Sequence, residues 1–599
     1  MRSALYFSMA ATLLCLVAGV RLAHAEDEDA RLTAFFREHL EAEFRLQPME
    51  ATRLGDHRFD DQLEDLSAAG RERWTAHTRQ TLAALPQRID YAKLTRNGQI
   101  DYEILQHDLT YSLWLTQNTH PFAEDPRVYN DYISDSVFLL LTQSTLPKET
   151  NLVHCLARME AIPRLVAAAE ANLANPPRAI LETAIRQNEG AIRFFRNDLF
   201  TFAGATPRAA ALHAAANRVA ACLEQYGQFL QHDLLPQAHG EWRLGEPRFA
   251  RKLELELDAG VTADQLFAEA QTEFARVQDQ MWIIARQLWS QYFPRRPFPA
   301  DDPAGRRQAI GEVLERIGKE HGPARELVRD ARATVARLKR FIRDRNLLAL
   351  PAPDRCQVIT MPEFERGNST AYMNAPPPLD PKASGYYAVS PPPKDWSPAR
   401  VASYLEEYNR HLLQILTIHE AYPGHYVQLE YANRNPSLIR RVLGSGVYIE
   451  GWAVYTEGMM LDQGYGEGSL ALRLTQLKFY LRAVANTLLD HQMHCTAMTD
   501  DEALRFLGEQ AYQSEGEARL KILRAKQSSV QLSTYFAGRS AFYHLHQTVE
   551  RELGSRFDLA QFHAAALAPG PVPVKYLPEL VGARLGLPHP PTPTPTASP

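Results

Sequence analysis

Apolar residues recur three and four positions apart on charged backgrounds through most of this chain, which is the signature of amphipathic helices. The pattern is clearest over Asp29 to Leu46, Leu152 to Asn175, Ala209 to Asp233 and Val261 to Phe293, where it predicts scaffold helices. Alternation of apolar and polar positions, the mark of a half-buried strand, is scarce. The candidates are Arg248 to Leu257, Gln357 to Thr360 and Gly385 to Ser390. The expected fold class is mainly α with a small β element.

One stretch departs from this pattern. Residues 351–398 hold Pro351, Pro353, Pro362, Pro376 to Pro378, Pro381, Pro391 to Pro393 and Pro398, which forbid a long helix. They read as an irregular connector with a short strand, between an N-terminal helical region (26–350) and a C-terminal one (399–587). Such a strand serves either as the edge along which an extended substrate lies or as a plain linker. Residues 588–599 are rich in Pro and Thr and are expected to be disordered. No internal repeat of fixed period is visible.

Composition narrows the class. With 599 residues, 45% hydrophobic and 23% charged, the chain has ordinary globular proportions. Its net charge of −6 is spread without a basic stripe, so nucleic acid is not an expected partner. At the N-terminus, Arg2 precedes an uncharged apolar run from Ala4 to Val20, and Ala23-His24-Ala25 gives a small-x-small cleavage pattern. A signal peptide of residues 1–25 is expected, cut after Ala25, giving a periplasmic or secreted protein without a stable membrane anchor. Thr12-Leu13-Leu14 before Cys15 lacks the small residue of a lipoprotein site. The remaining cysteines, Cys155, Cys222, Cys356 and Cys495, are too scattered for a disulfide framework or a thiolate metal site. One or two bridges stay open.

Candidate chemistry sits in Ile418-His419-Glu420-Ala421-Tyr422-Pro423-Gly424-His425. Zinc takes neutral imidazole and carboxylate ligands, and a glutamate beside the first histidine is placed to take a proton from a water activated by the metal. The spacing raises a difficulty. Histidines four apart lie about 40° from each other around a helix, whereas six apart they point about 120° away. Proline at position 423 resolves it, because it cannot donate to the His419 carbonyl and clashes with it. The pair is usable only if the helix breaks at Pro423. A His-Glu dipeptide alone is weak, since a chain with 20 histidines contains about one by chance.

A second segment strengthens the case. Glu450-Gly451-Trp452-Ala453, inside Tyr448 to Glu457, resembles the helix that supplies the third ligand in gluzincin zinc peptidases. Glu457 lies two turns beyond Glu450 on nearly the same face, as a partner of a ligand or as a solvated residue.

The run His419 to His425, with Gln428 after it, closely resembles the signature of the bacterial domain-of-unknown-function family 885. That family is related to carboxypeptidase Taq, thimet-type oligopeptidases and angiotensin-converting enzyme. Asp490-His491-Gln492-Met493-His494, Met498 to Ala503, Tyr535-Phe536-Ala537-Gly538 and Phe557 to His563 fit its later segments. The match runs to about Leu587 and is sharpest after Ala383. One departure is Tyr426, where members often carry a histidine. The resemblance implies a large helical, gluzincin-like fold with a cleft between two helical halves, and metal-dependent peptide hydrolysis. It implies His419, His425 and Glu450 as Zn2+ ligands and Glu420 as general base.

Further groups are open. Asp490 and His494, four apart, can bond on one helix face, orienting His494 toward the site or making a structural contact. Tyr535 and Arg539, also four apart, are candidates to donate to a developing oxyanion. His544, His546 and His563 read as interior or surface histidines. A nucleophile elbow and phosphate loops are lacking: Gly444-Ser445-Gly446 is flanked by Leu443 and Val447. The readings carried forward are a zinc metallopeptidase acting on short peptides, a metal-free scaffold of the same fold, and a zinc amidase acting on a non-peptide amide.

Overall fold

The structure, a computed structural model, describes residues 27–361, 371–380, 382–393 and 396–587. The expected signal peptide and Pro/Thr tail lie outside the described residues. Helices dominate, as the periodicity predicts. The first, α1, covers residues 27–46. The helices that follow include α2 (Pro126–Thr142), α3 (Lys148–Asn172), α4 (Arg178–Arg193) and α5 (Ala209–Gln228). Next come α6 (Glu246–Leu257) and α7 (Ala263–Tyr292). The C-terminal half supplies α8 (Arg410–Glu420), α9 (His425–Asn433), α10 (Gly446–Asp462), α11 (Leu470–Cys495), α12 (Glu515–Gln527) and α13 (Thr534–Leu553).

The segment Arg248 to Leu257 corrects the strand expectation: it is helix α6. Leu253, Leu255 and Leu257 alternate, but Phe249, Leu253 and Leu257 also stand four apart and are all buried. Pro247 occupies the first turn, where a missing N–H costs nothing. The two remaining candidates form β1 (Cys356–Thr360) and β3 (Gly385–Val389), which pair in parallel. A third strand, β2 (Ala371–Asn374), pairs antiparallel to β3, giving the order β1-β3-β2.

Burial divides the molecule differently from chain order. One hydrophobic core runs from Leu32 to Leu109, resumes at Phe249 and continues to Val581, so α1, α6 and α7 pack with the C-terminal helices. A second core is built mainly from α2 to α5, with Met49, Leu63 and Leu66 added. The four cysteines are unpaired. Among the described residues, no helix is long and apolar enough to cross a membrane.

The closest helix crossing positions the site. Helices α10 and α13 meet where Gly451 faces Gly538: a β-carbon on Gly451 would stand 2.4 Å from the Gly538 backbone, and one on Gly538 would stand 2.0 Å from the Val447 carbonyl oxygen. Backbone cannot give way as a side-chain tip can. Gly538→Ala is therefore expected to destabilise the fold by about 3 kcal/mol or more, the upper end for overpacking. Thermal unfolding of the purified variant checks this; an unchanged midpoint would contradict the packing argument.

Candidate metal centre

Asn409 caps α8 with its side chain, and the helix ends at Glu420. Residues 421–424 leave helical geometry, and α9 starts at His425. The break required at Pro423 is present, with a cis Tyr422–Pro423 peptide inside it. The chain folds back so tightly that a β-carbon on Gly424 would sit 1.8 Å from the His419 carbonyl oxygen, which excludes any side chain there. The fold-back brings the imidazoles of His419 and His425 together, with ring centroids 4.7 Å apart and planes at 89°.

Helix α10 delivers the carboxylate. Glu450 Oε2 lies 3.6 Å from His419 Nε2 and 3.5 Å from His425 Nε2. Ligands about 2.0–2.1 Å from a tetrahedral zinc stand roughly 3.3–3.4 Å apart, so these separations fit such an ion. Potential ligand atoms of the three residues all lie within 4.8 Å of one another. Glu450 Oε2 is buried and makes no hydrogen bond, which is costly without a cation to face. The residues present fit zinc.

Glu457 settles the alternative left open by the sequence. It is fully buried, and its Oε1 lies 2.7 Å from His419 Nδ1. Glu457 is placed to accept the Nδ1 proton, which would leave Nε2 to serve a metal ion on the Glu450 side. The local charges are coupled. Burial raises the Glu457 pKa against the opposing effect of His419. Burial disfavours imidazolium at His419, but Glu450 and Glu457 outweigh it and raise the pKa. For Glu450, burial is outweighed by His425 and His419, and the carboxyl is held well below its usual range. Burial raises the pKa of Glu420, and the neighbouring backbone of Met373 in β2 opposes that rise.

A cavity of about 1240 Å³ opens onto this cluster. His419, Glu420, Glu457 and Tyr535 line it on the side of the large core, while Thr183, Arg186 and Gly190 of α4 line the side of the second core. The cavity is thus lined from both cores. Tyr535 faces it, its hydroxyl accepting from Arg524 Nη2 at 3.2 Å.

Two other candidates stand elsewhere, which corrects the sequence reading. His494 is buried, donates from Nε2 to the Ala525 carbonyl (2.9 Å) and accepts at Nδ1 from the Leu244 N–H (3.4 Å). It does not line the cavity, and burial lowers its pKa to about 4. Its spacing from Asp490 holds, at 3.7 Å, but the pair ties three chain segments together instead of serving the cluster. Arg539 also leaves the cavity: its guanidinium lies between the rings of Tyr480 and Tyr543, at 4.3 and 4.2 Å, and bonds Glu273 at 3.3 Å. His546 and His563 both bond the buried Tyr455 hydroxyl, while His544 is exposed, so interior and surface readings hold for them. Tyr426 accepts the Arg355 N–H at 2.7 Å and secures the approach to β1.

The sequence reading missed Lys521, Arg482, Arg524 and Asn486, which also line the cavity. On α11 and α12 they carry no spacing that separates them from solvated helix residues.

Comparison with known proteins agrees with this architecture. A solved structure from Shewanella oneidensis, a putative lipoprotein of unknown function, is 32% identical with a TM-score of 0.78, covering 92% of this chain and 99% of that one. A second, the putative lipoprotein from Colwellia psychrerythraea, shares the fold at 18% identity and a TM-score of 0.75, covering 93% and 99%. No curated protein matches. The family model described as "Bacterial protein of unknown function (DUF885)" matches residues 48–581, and this chain belongs to that family.

Proposed function

We propose that this protein is an exported zinc-dependent hydrolase that cleaves peptide bonds of short peptides. The observation that carries the reading is the buried, unbonded Glu450 Oε2 at 3.5–3.6 Å from two imidazole nitrogens beside a cleft. When bound, zinc supplies Lewis-acid polarisation of the scissile carbonyl and acidifies a water to a pKa near 7. His419, His425 and Glu450 would hold it, and Glu457 fixes the ring of His419 in the tautomer that ligation needs. Glu420, in the cavity wall and in a buried setting that raises its affinity for a proton, takes the proton from the attacking water and delivers it to the leaving amine. Tyr535 donates its hydroxyl hydrogen toward the carbonyl oxygen as charge develops there. Strand β2, one of the two outer strands of the sheet, packs against α8, the helix that carries Glu420.

Export is supported by the N-terminal apolar run and by the relatives' description as lipoproteins. The intact set of ligands and base favours an enzyme over a metal-free scaffold. A peptide library read by mass spectrometry, with and without chelator, tests the reading. Cleavage that a chelator abolishes and zinc restores is expected; no cleavage by zinc-loaded protein would leave the scaffold or the non-peptide amidase.

One outcome concerns Glu457. Glu457→Gln is expected to lower zinc affinity by about 10–100-fold, as removal of a carboxylate behind a ligating histidine does. Competition with a fluorescent chelator checks it; unchanged affinity would reduce the contact to packing.

A further inference from the structure

The cleft holds a buried amine that the hydrolytic machinery does not use. Lys521 on α12 is only 5% exposed and lines the cavity, yet its ammonium has no hydrogen bond or ion pair among the described residues. Neutralising neighbours are poor. Burial holds the Lys521 amine well below the usual lysine range, Arg482 and Arg524 lower it further, and only Glu517 opposes them, so an anion arriving in the cleft would supply the charge partner the site lacks. Glu517 is already engaged by Arg482 at 3.1 Å and by the Tyr408 hydroxyl at 2.8 Å. A buried lysine without a partner costs several kcal/mol as an ion, and water or an apolar side chain would serve packing better. Its retention makes sense if an anion enters the cleft to meet it.

The position specifies the anion. Phe479 and Arg482 lie on one face of α11, with Phe479 6.1 Å from the His419 ring and Arg482 5.6 Å from the Phe479 ring. Lys521 therefore sits along the cleft within a few residues' length of extended peptide from the metal cluster, at about 3.3–3.6 Å per residue. Arg524 links the same patch to the Tyr535 hydroxyl. Leu520, beside Lys521, is a large apolar side chain left 51% exposed on the cavity wall. A single negative group next to an apolar side chain, a short distance beyond a scissile bond, is what the end of a peptide presents.

We infer that Lys521, with Arg524 beside it, receives the free C-terminal carboxylate of the substrate, so that cleavage occurs close to the C-terminal end. The inference deepens the hydrolase reading, and its test is chosen to work without turnover. Binding of acetyl-tetra-alanine, as free acid and as C-terminal amide, is measured by calorimetry on the full chain carrying Glu420→Gln. The acid is expected to bind about 10–100-fold more tightly, the range for a charge-assisted hydrogen bond. Adding Lys521→Met should bring the ratio below about 3-fold, while Lys521→Arg should keep a preference for the acid. Lys521→Met removes a buried amine without a hydrogen-bond partner among the described residues, so its melting temperature should not fall; folding loss is thereby separated from loss of recognition. Equal affinities in the parent, no binding of either form, or a preference that survives Lys521→Met would overturn the inference. So would displacement of the acid by low millimolar inorganic phosphate, which would assign the patch to phosphate anions. Failure of hydrolysis with an intact acid preference would sink the enzyme reading, and with it the position of cleavage, while leaving Lys521 as the carboxylate-binding group.

Discussion

Glu420→Gln is expected to retain bound zinc while losing hydrolytic turnover by about 10²-fold or more, the loss associated with removing a general base. Glutamine keeps the shape of the side chain and can still meet the Met373 backbone, but it cannot carry a proton away. The residue is not one of the three groups that converge as ligands, so metal content should be untouched. The check is a pair of measurements on one preparation: zinc per chain by elemental analysis, and kcat/KM on any peptide the wild type cleaves. Full activity in the variant would remove Glu420 from the mechanism. Joint loss of zinc and activity would instead make it a structural support of the centre.

Glu450→Ala and His419→Ala should each abolish stoichiometric zinc binding. Three protein ligands are the working minimum for a catalytic zinc, and deleting one leaves two groups and an enlarged void. Glu450→Ala is the cleaner case. It removes a carboxylate whose inner oxygen is buried without a hydrogen bond, so the metal-free fold should tolerate it. His419→Ala also strands Glu457 as a buried acid without its donor, and should cost stability besides metal. Elemental analysis together with thermal unfolding separates the two effects. Zinc at wild-type level in either variant would strike that residue from the ligand set.

The convergence of His419, His425 and Glu450 was legible in the sequence because its constraints are local. Pro423 announces a helix break, and the break decides where His425 can point. Glu450 sits in a recognisable Glu-Gly-Trp-Ala setting. Glu457 was ambiguous for a physical reason: α10 is buried on nearly every side, so periodicity assigns no solvent face. His494 and Arg539 failed differently. A four-residue spacing puts two side chains near one another on a helix but says nothing about which neighbour each one meets, and here His494 bonds the Ala525 carbonyl while Arg539 turns to Glu273. Lys521 left no trace, since a lysine on a charged helix such as α12 reads as solvated until tertiary packing covers it. At the level of fold, α6 was misread because leucines at alternate positions satisfy two periods at once, and the four-residue spacing of Phe249, Leu253 and Leu257 is the one the core uses.

The division of burial into two cores bears on how such a protein changes over generations. The wall that carries the ligands, base and lysine draws its stability from one core, and the facing wall of α4 from the other. Substitutions along α4 would therefore reshape what the cavity admits while the proposed catalytic groups stay anchored in the other core. Diversification of substrate preference at constant chemistry is the course this arrangement leaves open, and divergent relatives should vary most where α4 looks across the gap.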